Sequence, residues 1–365
     1  MNQTNEERIK NLLENFNKES LQPLWTLEHD IMPFKPKPQS VAWLWKWDKL
    51  YELAEEAGEV ITLDRGGDRR AIALANPGLG GMPFATETLW MAVQWLNGHE
   101  VAPAHRHTPQ AIRFIVDGAG SYSTVEGDRV YLEKGDLVLN PPLLWHDHGS
   151  DSDERAIWID GLDIPLTKYL NANFFEPMGK DVQEVDTVKN FSVLKYGAGT
   201  MKPAWEREKP KYPPMSTFKW SRTEQALNDL ASSGDSSPYD DIALEYVNPL
   251  TGDPVMKTFS CWIQMIRPGV HTKAHREVCS TVYFVFEGSG YSIIDGVKFE
   301  WQKGDLFIIP NWKCHEHVNP TGERAILFSI NDRPTMDLLD KYREEAYTEN
   351  EGHQKVNATF DPSKK

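Results

Sequence analysis

Three histidines in the first half of the chain have the residue type and spacing of a metal site. His105 and His107 are separated by one residue, so an extended strand directs both imidazoles to one face of a sheet. His146 follows a glycine turn and Pro141, on a return strand that a closed sheet could bring beside the pair. Three neutral imidazoles on one face would leave about three open positions on a six-coordinate metal. A His-x-His pair exposed on a polar strand is the alternative, so the surrounding elements must decide.

An internal repeat supplies that context. When the chain is compared with itself at an offset of about 170 positions, three blocks match in the same order. The matching blocks begin at Phe114 and Phe284, at Lys134 and Lys303, and at Trp145 and Cys314. The chain is therefore a tandem duplication, and the three histidines belong to its first copy.

The alternation of short apolar stretches with turn-forming residues predicts an all-β protein. From about Glu59 onward, short apolar stretches are broken by Gly, Pro, Asn and Asp, as in antiparallel sandwiches and barrels. The predicted divisions are a helical and extended arm at 1–58, a catalytic barrel at 59–188, a linker at 189–254, a second barrel without catalysis at 255–334, and a helix with a polar tail at 335–365.

Helices are predicted at the periphery only. The spacing of apolar residues indicates helices over 5–16, near 223–231 and over 335–346. Trp43, Trp45 and Trp47 instead alternate with the period of a strand.

Composition excludes several classes of function. A net charge of -15, from 39 basic and 54 acidic residues, disfavours a nucleic-acid partner, because phosphate binding requires clustered Lys and Arg. The three cysteines form no Cys-x-x-Cys pair, so we expect neither a disulfide framework nor a thiolate zinc site, and a cytoplasmic location fits. The charged start and the lack of a long apolar run predict a soluble protein without a signal peptide or a membrane partner.

The histidine blocks resemble the two motifs of the cupin superfamily. Gly98, the His105-Arg-His107 segment and Gly118 follow the first motif, and Gly135, Pro141 and His146 follow the second. The chain departs from the pattern in a first spacing that is one residue longer and in Ala111, Leu143 and Ser150, which replace the motif's Glu, Gly and Asn. The resemblance implies a bicupin: two tandem double-stranded β-helix (jelly-roll) barrels with peripheral helices. Ala111 removes the usual carboxylate ligand, which disfavours manganese bicupins such as oxalate decarboxylases.

Most of the chain resembles gentisate 1,2-dioxygenases and their salicylate- and 1-hydroxy-2-naphthoate-cleaving relatives. The matching strings are Arg69 to Gly81, Trp90 to Gln94 and Trp158 to Pro165. The resemblance implies an extradiol-type, aromatic ring-cleaving dioxygenase that converts gentisate (2,5-dihydroxybenzoate) and O2 to maleylpyruvate. It implies Fe(II) on His105, His107 and His146, no organic cofactor, and a homo-oligomer, a tetramer. The substrate carboxylate and adjacent hydroxyl would both reach the metal.

The same resemblance assigns the residues around the metal. Arg113 lies an even number of residues from His107, so it can face the metal if the strand recovers after Pro109. A guanidinium inside a barrel needs an anion, and the resemblance implies that Arg113 binds the substrate carboxylate while Asp160 fixes it. The alternative is a salt bridge at the barrel rim.

Further residues are expected to line the site. His148, two positions beyond His146, could bond the substrate hydroxyl or bound oxygen, which places it with Arg113 and Asp160 among the catalytic residues; a supporting or surface role is the alternative. The residues carried over as substrate-binding are Arg69, Trp90, Gln94, Arg113 and His148. For Trp90, core packing explains the residue nearly as well.

The second copy and the wider function leave alternatives open. His275, Glu277 and His315 occupy the triad positions, with His271 and His317 nearby, so a second metal is chemically possible. Tyr283 stands where the first copy has Arg113, which argues against catalysis there. The other hypotheses are a salicylate or 1-hydroxy-2-naphthoate dioxygenase, a zinc or nickel cupin isomerase or lyase, and a non-enzymatic binding bicupin. The preferred ring substituents, the metal in vivo and the oligomeric state stay open.

Overall fold

The computed structural model describes residues 4–66, 70–199 and 201–363. The chain divides into two compact units, the first ending at Lys37 and the second beginning at Pro38. The first unit contains helix α1 (Asn5–Lys18) and the short helix α2 (Glu28–Ile31). Thr4 and Glu7 form a capping box at the start of α1, which satisfies backbone N–H groups that the helix itself leaves unpaired.

The second unit is built almost entirely from strands. Its helices are α3 (Trp47–Val60), α4 (Ile164–Tyr169), α5 (Phe191–Tyr196), α6 (Trp220–Ser233) and α7 (Arg333–Leu338). The strands as far as the end of the first repeat are β1 (Trp43–Trp45), β2 (Ala71–Ala73), β3 (Trp90–Leu96), β4 (Val101–His107), β5 (Ala111–Asp117), β6 (Ser121–Val125), β7 (Asp128–Tyr131), β8 (Leu137–Asn140), β9 (His146–Ser150), β10 (Ala156–Leu162) and β11 (Phe175–Pro177). The later strands are β12 (Thr217–Phe218), β13 (Ile242–Glu245), β14 (Ser260–Ile266), β15 (His275–Glu277), β16 (Thr281–Glu287), β17 (Ser289–Ile294), β18 (Val297–Gln302), β19 (Leu306–Ile309), β20 (His315–Val318), β21 (Ala325–Asn331), β22 (Glu344–Ala346) and β23 (Ala358–Thr359).

Each repeat folds into two facing sheets that form a barrel. The first barrel has the strand orders β12-β8-β5-β10-β3-β2 and β11-β4-β9-β6-β7. The second has β1-β19-β16-β21-β14-β13 and β22-β15-β20-β17-β18-β23. The named strands pair antiparallel, apart from the parallel contact of β18 with β23. The predicted all-β bicupin with peripheral helices is confirmed.

The two barrels exchange their entry strands. β1 precedes the first barrel in sequence but pairs with β19 of the second barrel. β12 precedes the second barrel in sequence but pairs with β8 of the first barrel. The junctions are alike: the Trp47 amide donates to Asp305 Oδ1 over 2.9 Å, and the Trp220 amide donates to Asp136 Oδ1 over 2.8 Å. A 14-residue helix, α3 or α6, follows each junction. The segments predicted as arm and linker thus carry matching strand-helix units, and Trp47 begins a helix rather than extending the strand.

A shared apolar core holds the barrels together. Phe114 of β5 is fully buried, and its ring stacks on Phe328 of β21 with centroids 4.2 Å apart. Burying such a side chain stabilises the fold by roughly 2–3 kcal/mol. Since neighbouring residues of a strand point to opposite faces, the orientation of Phe114 towards the second barrel turns Arg113 into the interior of the first.

The C-terminal segment differs from the prediction. The helix predicted over 335–346 is wrong: α7 ends at Leu338, and Asp340 has a positive φ of 56°. Residues Glu344–Ala346 form β22, which pairs with β15 so that Ala346 lies opposite His275. Pairing with a distant strand outweighed the local helical pattern. In the described part of the chain, no helix combines the length and apolar character that crossing a bilayer requires.

Candidate active site

The first barrel brings the three predicted metal ligands together. His105 and His146 lie opposite each other in the pairing of β4 with β9, and His107 points to the same face as His105. The ring centroid of His146 is 4.4 Å from that of His105 and 4.8 Å from that of His107. One ligand nitrogen from each of the three residues falls within 4.8 Å of the other two. Arg106, between the pair, points away and bonds Glu176.

Backbone carbonyl groups fix the orientation of all three rings. The Nδ1 atoms of His105, His107 and His146 donate to the carbonyl oxygens of residues 103, 109 and 144 over 2.6, 2.7 and 2.9 Å. This assignment gives each ring the tautomer whose Nε2 carries the lone pair, which is how metal-binding histidines are usually held. The buried Nε2 of His146 has no hydrogen-bond partner among the described residues, as expected of a donor atom oriented towards a metal.

The charge state of His146 also suits metal binding. Burial, followed by His105, His107 and Arg113, lowers the pKa of His146 well below its ordinary value, so the ring is neutral near pH 7. A neutral imidazole is the form that binds a metal. The three imidazole nitrogens fit a divalent transition metal, and the triad contains no thiolate or carboxylate.

Arg113 lies at the centre of a buried polar network. Its Nη1 donates to Asn140 Oδ1 over 2.9 Å and to His148 Nδ1 over 3.1 Å. Its Nε lies 3.0 Å from Asp160 Oδ1, and both side chains are less than a tenth exposed. Arg113 and Asp160 are opposite each other in the pairing of β5 with β10. Among the sequence alternatives, the geometry matches an interior guanidinium and not a rim salt bridge.

Burial acts on both members of this ion pair. It raises the pKa of Asp160 to about 6, although the nearby Arg113 opposes the rise. It lowers the pKa of Arg113 below its ordinary value, against the opposing effect of Asp160. An arginine remains charged in proteins, and a carboxyl group with a pKa of about 6 is mostly ionised near pH 7. Among the described residues Nη1 and Nε of Arg113 have partners and Nη2 has no hydrogen bond, so the guanidinium can still donate to a second anion.

His148 completes the network with a defined tautomer. Its Nδ1 lies 3.1 Å from the Arg113 guanidinium, which can only donate, so Nδ1 is the acceptor and Nε2 carries the hydrogen. Ser123 Oγ also donates to Nδ1 over 3.0 Å. Burial first, and then Arg113, lower the pKa of His148 well below its ordinary value, so the ring stays neutral. Its buried Nε2 has no partner among the described residues and remains available as a donor.

These groups open into one cavity of about 560 Å³. The predicted residues among its lining are His105, His107, Arg113, His148, Asp160, Trp90 and Gln94. Arg69 lies outside the described residues, so its predicted role has no structural account here. Trp90 lies on β3 and lines the cavity rather than being packed wholly in the core.

Sequence reasoning missed three contributors. Asn140 at the end of β8 accepts from Arg113, and Ser123 of β6 donates to His148. Phe175 of β11 stacks on His105 with ring centroids 5.1 Å apart. Only the parity of Ser123 within its strand could have indicated its orientation, because the other two depend on long-range strand pairing.

The second barrel repeats part of the pattern with different chemistry. The rings of His275 and His315 lie 4.5 Å apart, and Glu277 lies beside them with Glu344 of β22. Tyr283, at the position of Arg113, stacks on Phe307 with centroids 4.7 Å apart. This interior has aromatic packing where the first barrel has a buried cation, which leaves a second metal as a prediction and offers no counterpart of the Arg113 network.

Comparisons with known proteins agree with this geometry. Residues 92–164 and 262–331 each match the family model of the cupin domain. A 5-aminosalicylate 1,2-dioxygenase of Comamonas sp is 37% identical over 96% of this chain and 93% of its own length. A gentisate 1,2-dioxygenase of Streptomyces sp is 36% identical over 92% of this chain and 95% of its own.

A solved structure extends the likeness to three dimensions. The salicylate 1,2-dioxygenase from Pseudoaminobacter salicylatoxidans, solved as adducts with gentisate, superposes with a TM-score of 0.87 at 36% identity, covering 94% of this chain and 95% of that one. A sequence match of this extent, together with a histidine triad beside a buried cation, defines the enzyme class. The chain belongs to the two-domain cupin family of gentisate, salicylate and hydroxynaphthoate ring-cleaving 1,2-dioxygenases.

Proposed function

We propose that this protein is an Fe(II)-dependent gentisate 1,2-dioxygenase that forms maleylpyruvate. The observation that carries the proposal is the buried guanidinium of Arg113, which lines the same cavity as His105 and His107 of the triad. A hydroxybenzoate places a carboxylate next to a hydroxyl, so one molecule can meet the guanidinium and the metal together. Gentisate and O2 contain all the atoms of maleylpyruvate, so no further reactant is needed.

The three histidines would hold the iron through Nε2. Bound Fe(II) supplies the open coordination positions and the electron transfer that a spin-allowed reaction of O2 with an aromatic ring requires. The all-nitrogen triad leaves the 2+ charge of the ion uncompensated, which favours an anionic chelating substrate. Strict dependence of turnover on O2 would separate this function from a zinc or nickel isomerase or lyase.

The chain's own residues would position the ring. We assign the substrate carboxylate to Arg113, whose orientation is fixed by Asn140 and Asp160. His148 Nε2 would donate to an oxygen of the substrate or of O2, as its buried and unpartnered position suggests. In this scheme Arg113 and His148 touch the reactants, and Asp160 is a positioning residue. Orientation of this kind accounts for a large part of many enzymatic rate accelerations.

The cavity walls would set the choice of ring. We assign Trp90, Gln94 and Arg69 to substrate binding, and the first barrel to catalysis. Gentisate is proposed over its analogues because relatives of similar identity include gentisate dioxygenases and the salicylate enzyme was solved with gentisate. Its hydroxyl para to the first hydroxyl also makes the ring a better electron donor than salicylate.

We also propose that the enzyme is a cytoplasmic homotetramer. Large apolar side chains that are mostly exposed in the single chain, including Leu194, Trp205 and Leu338, would be covered by neighbouring subunits. The described cysteines are all unpaired, which suits a reducing compartment. Light scattering coupled to gel filtration should give about four times the chain mass of 41.7 kDa.

Substrate comparison tests the functional proposal. The protein is loaded anaerobically with Fe(II) or Zn(II), and initial oxygen uptake is measured with gentisate, salicylate and 1-hydroxy-2-naphthoate. We expect uptake with iron only and the highest kcat/KM for gentisate. Faster turnover of salicylate or the naphthoate would replace the substrate assignment, and turnover with zinc without oxygen would overturn the reaction class.

A further inference from the structure

A further cluster of histidine and carboxylate side chains lies outside both the first-barrel triad and the His275 group of the second barrel. His271, Glu316 and His353 each offer one atom within 4.8 Å of the other two. Glu316 Oε2 is 2.9 Å from His271 Nε2 and 2.9 Å from His353 Nδ1. The centroids of the two imidazoles are 4.1 Å apart. A single carboxylate oxygen, Oε2 of Glu316, therefore accepts a hydrogen bond from each of the two rings.

The cluster is built on a rigid base. Glu316 belongs to β20, between His315 and His317, and its side chain is fully buried. Its other oxygen, Oε1, accepts from the backbone amide of Gln354 over 2.7 Å. Three hydrogen bonds, from His271, His353 and Gln354, therefore fix the carboxylate in position.

The first repeat shows what this position looks like without the histidines. Asp147 takes the place of Glu316, and its Oδ2 accepts from the Gln183 amide over 2.8 Å, as Glu316 does from Gln354. By the same register, Val101 corresponds to His271 and Val182 to His353. The anchoring of the chain segment after each barrel thus needs only the carboxylate and the glutamine.

All three residue differences between the repeats give the second repeat side chains that can bind a metal. Two valines are replaced by histidines, and the aspartate is replaced by the longer glutamate, whose oxygen reaches both rings. Two imidazole nitrogens and one carboxylate are a ligand set that binds zinc. In a tetrahedral site with bonds of about 2.0–2.1 Å, ligand atoms lie roughly 3.3 Å apart. The observed 2.9 Å separations need to widen by only a few tenths of an ångström.

We propose that His271, Glu316 and His353 form a zinc-class divalent metal site that ties the segment after β22 to the second barrel. The side chains of His271 and His353 are 38% and 29% exposed, so ions can enter and water can fill the fourth position. Zinc takes the place of the two shared hydrogens, each of which moves to the other nitrogen of its own ring. The two imidazoles stay neutral, so the ligand set keeps the single negative charge of Glu316 against the ion's two positive charges. The site is separate from the iron triad, so its role is structural and not catalytic.

The internal repeat provides the test variant. His271→Val with His353→Val restores the residues of the first repeat and keeps Glu316 with its bond to Gln354, so the barrel should fold and retain oxygen uptake. Wild type and double variant, each with its first-barrel site filled with iron, are dialysed against Zn(II), and bound zinc is counted by mass spectrometry. The wild type should bind one more zinc per chain than the variant.

A second readout locates the bound ion. Zinc should slow hydrogen exchange at the amides of residues 352–354 in the wild type and leave the double variant unchanged. His315→Ala, in the interior of the second barrel, is the matched control and should keep the extra zinc. Equal zinc counts in wild type and double variant, or loss of the extra zinc in the control, would overturn the proposal.

Discussion

His148 allows the sharpest test of how the cavity acts on its reactants. Its Nδ1 accepts from Arg113 and Ser123, and its Nε2–H is buried without a partner among the described residues. A hydrogen bond to a charged acceptor contributes about 1.5–3 kcal/mol. Because about 1.4 kcal/mol corresponds to tenfold in rate, removal of this donor should lower kcat/KM about 10- to 150-fold.

Three substitutions separate the two nitrogens of the ring. His148→Ala removes both. In His148→Asn the amide oxygen can replace Nδ1 as the acceptor, whereas His148→Gln can place an amide N–H near the position of Nε2. We expect the Ala and Asn variants to show the full loss and the Gln variant to recover part of it, with iron content unchanged in all three.

The second repeat provides the control for this series. His317 is the counterpart of His148, and its Nδ1 lies 2.8 Å from Ser292 Oγ, the counterpart of the Ser123 hydroxyl. His317→Ala should leave oxygen uptake within about twofold of wild type, because the second barrel has no Arg113 network. Loss of iron from His148→Ala would show that this residue is a ligand, and full activity of His148→Asn would refute the donor role of Nε2.

The rest of the cavity gives three further expected outcomes. Arg113→Lys keeps the charge but not the planar fork, so KM for gentisate should rise about 10- to 150-fold at constant iron content, measured by initial oxygen uptake. Burial raises the pKa of Asp160 to about 6, so protonation below that pH removes the charged partner that orients Arg113. The value of kcat/KM should therefore fall as the pH drops below about 6, and Asp160→Asn should abolish this inflection in the pH profile. His146→Ala should lose the first-barrel iron and all turnover, whereas His315→Ala should keep both, by metal analysis and oxygen uptake.

The predicted fall of kcat/KM at low pH can be distinguished from unfolding of the protein by acid. The pKa of Asp160 in the fold lies above its ordinary value of 3.8, so its contribution to stability is fully present below about 3.8 and is lost as the pH rises through about 6. Acidification through this window thus stabilises the fold at Asp160 while activity falls. A pH profile without an inflection near 6, or an unchanged KM in Arg113→Lys, would contradict the role given to the ion pair.

Short-range pattern was sufficient to predict the main features of the site. The i, i+2 spacing of His105 and His107, and of His146 and His148, fixes each pair on one face of a strand. The same parity brings Arg113 inside, and its partner Asp160 follows from the matched strings. The orientation of these side chains could be predicted because side-chain direction in a strand has a period of two residues, whereas their roles stay predictions.

Features that depend on long-range pairing could not be predicted in this way. The exchange of β1 and β12 between the barrels brings Trp47 to Asp305 and Trp220 to Asp136. No local sequence pattern indicates that either strand pairs with the barrel that is not next to it in the chain order of the repeats. Asn140 reaches Arg113 only because β8 pairs with β5. Residues 344–346 form a strand because β15 offers an edge, which no local propensity encodes.

Anaerobic single turnover tests the central claim most directly. The protein is reconstituted with Fe(II), mixed with one equivalent of gentisate per bound iron, and exposed to a known amount of O2. If the first barrel is a gentisate-cleaving centre, one O2 is consumed per gentisate and a ring-opened product appears in the near ultraviolet. Absence of oxygen uptake, with iron shown to be bound at His105, His107 and His146, would contradict it.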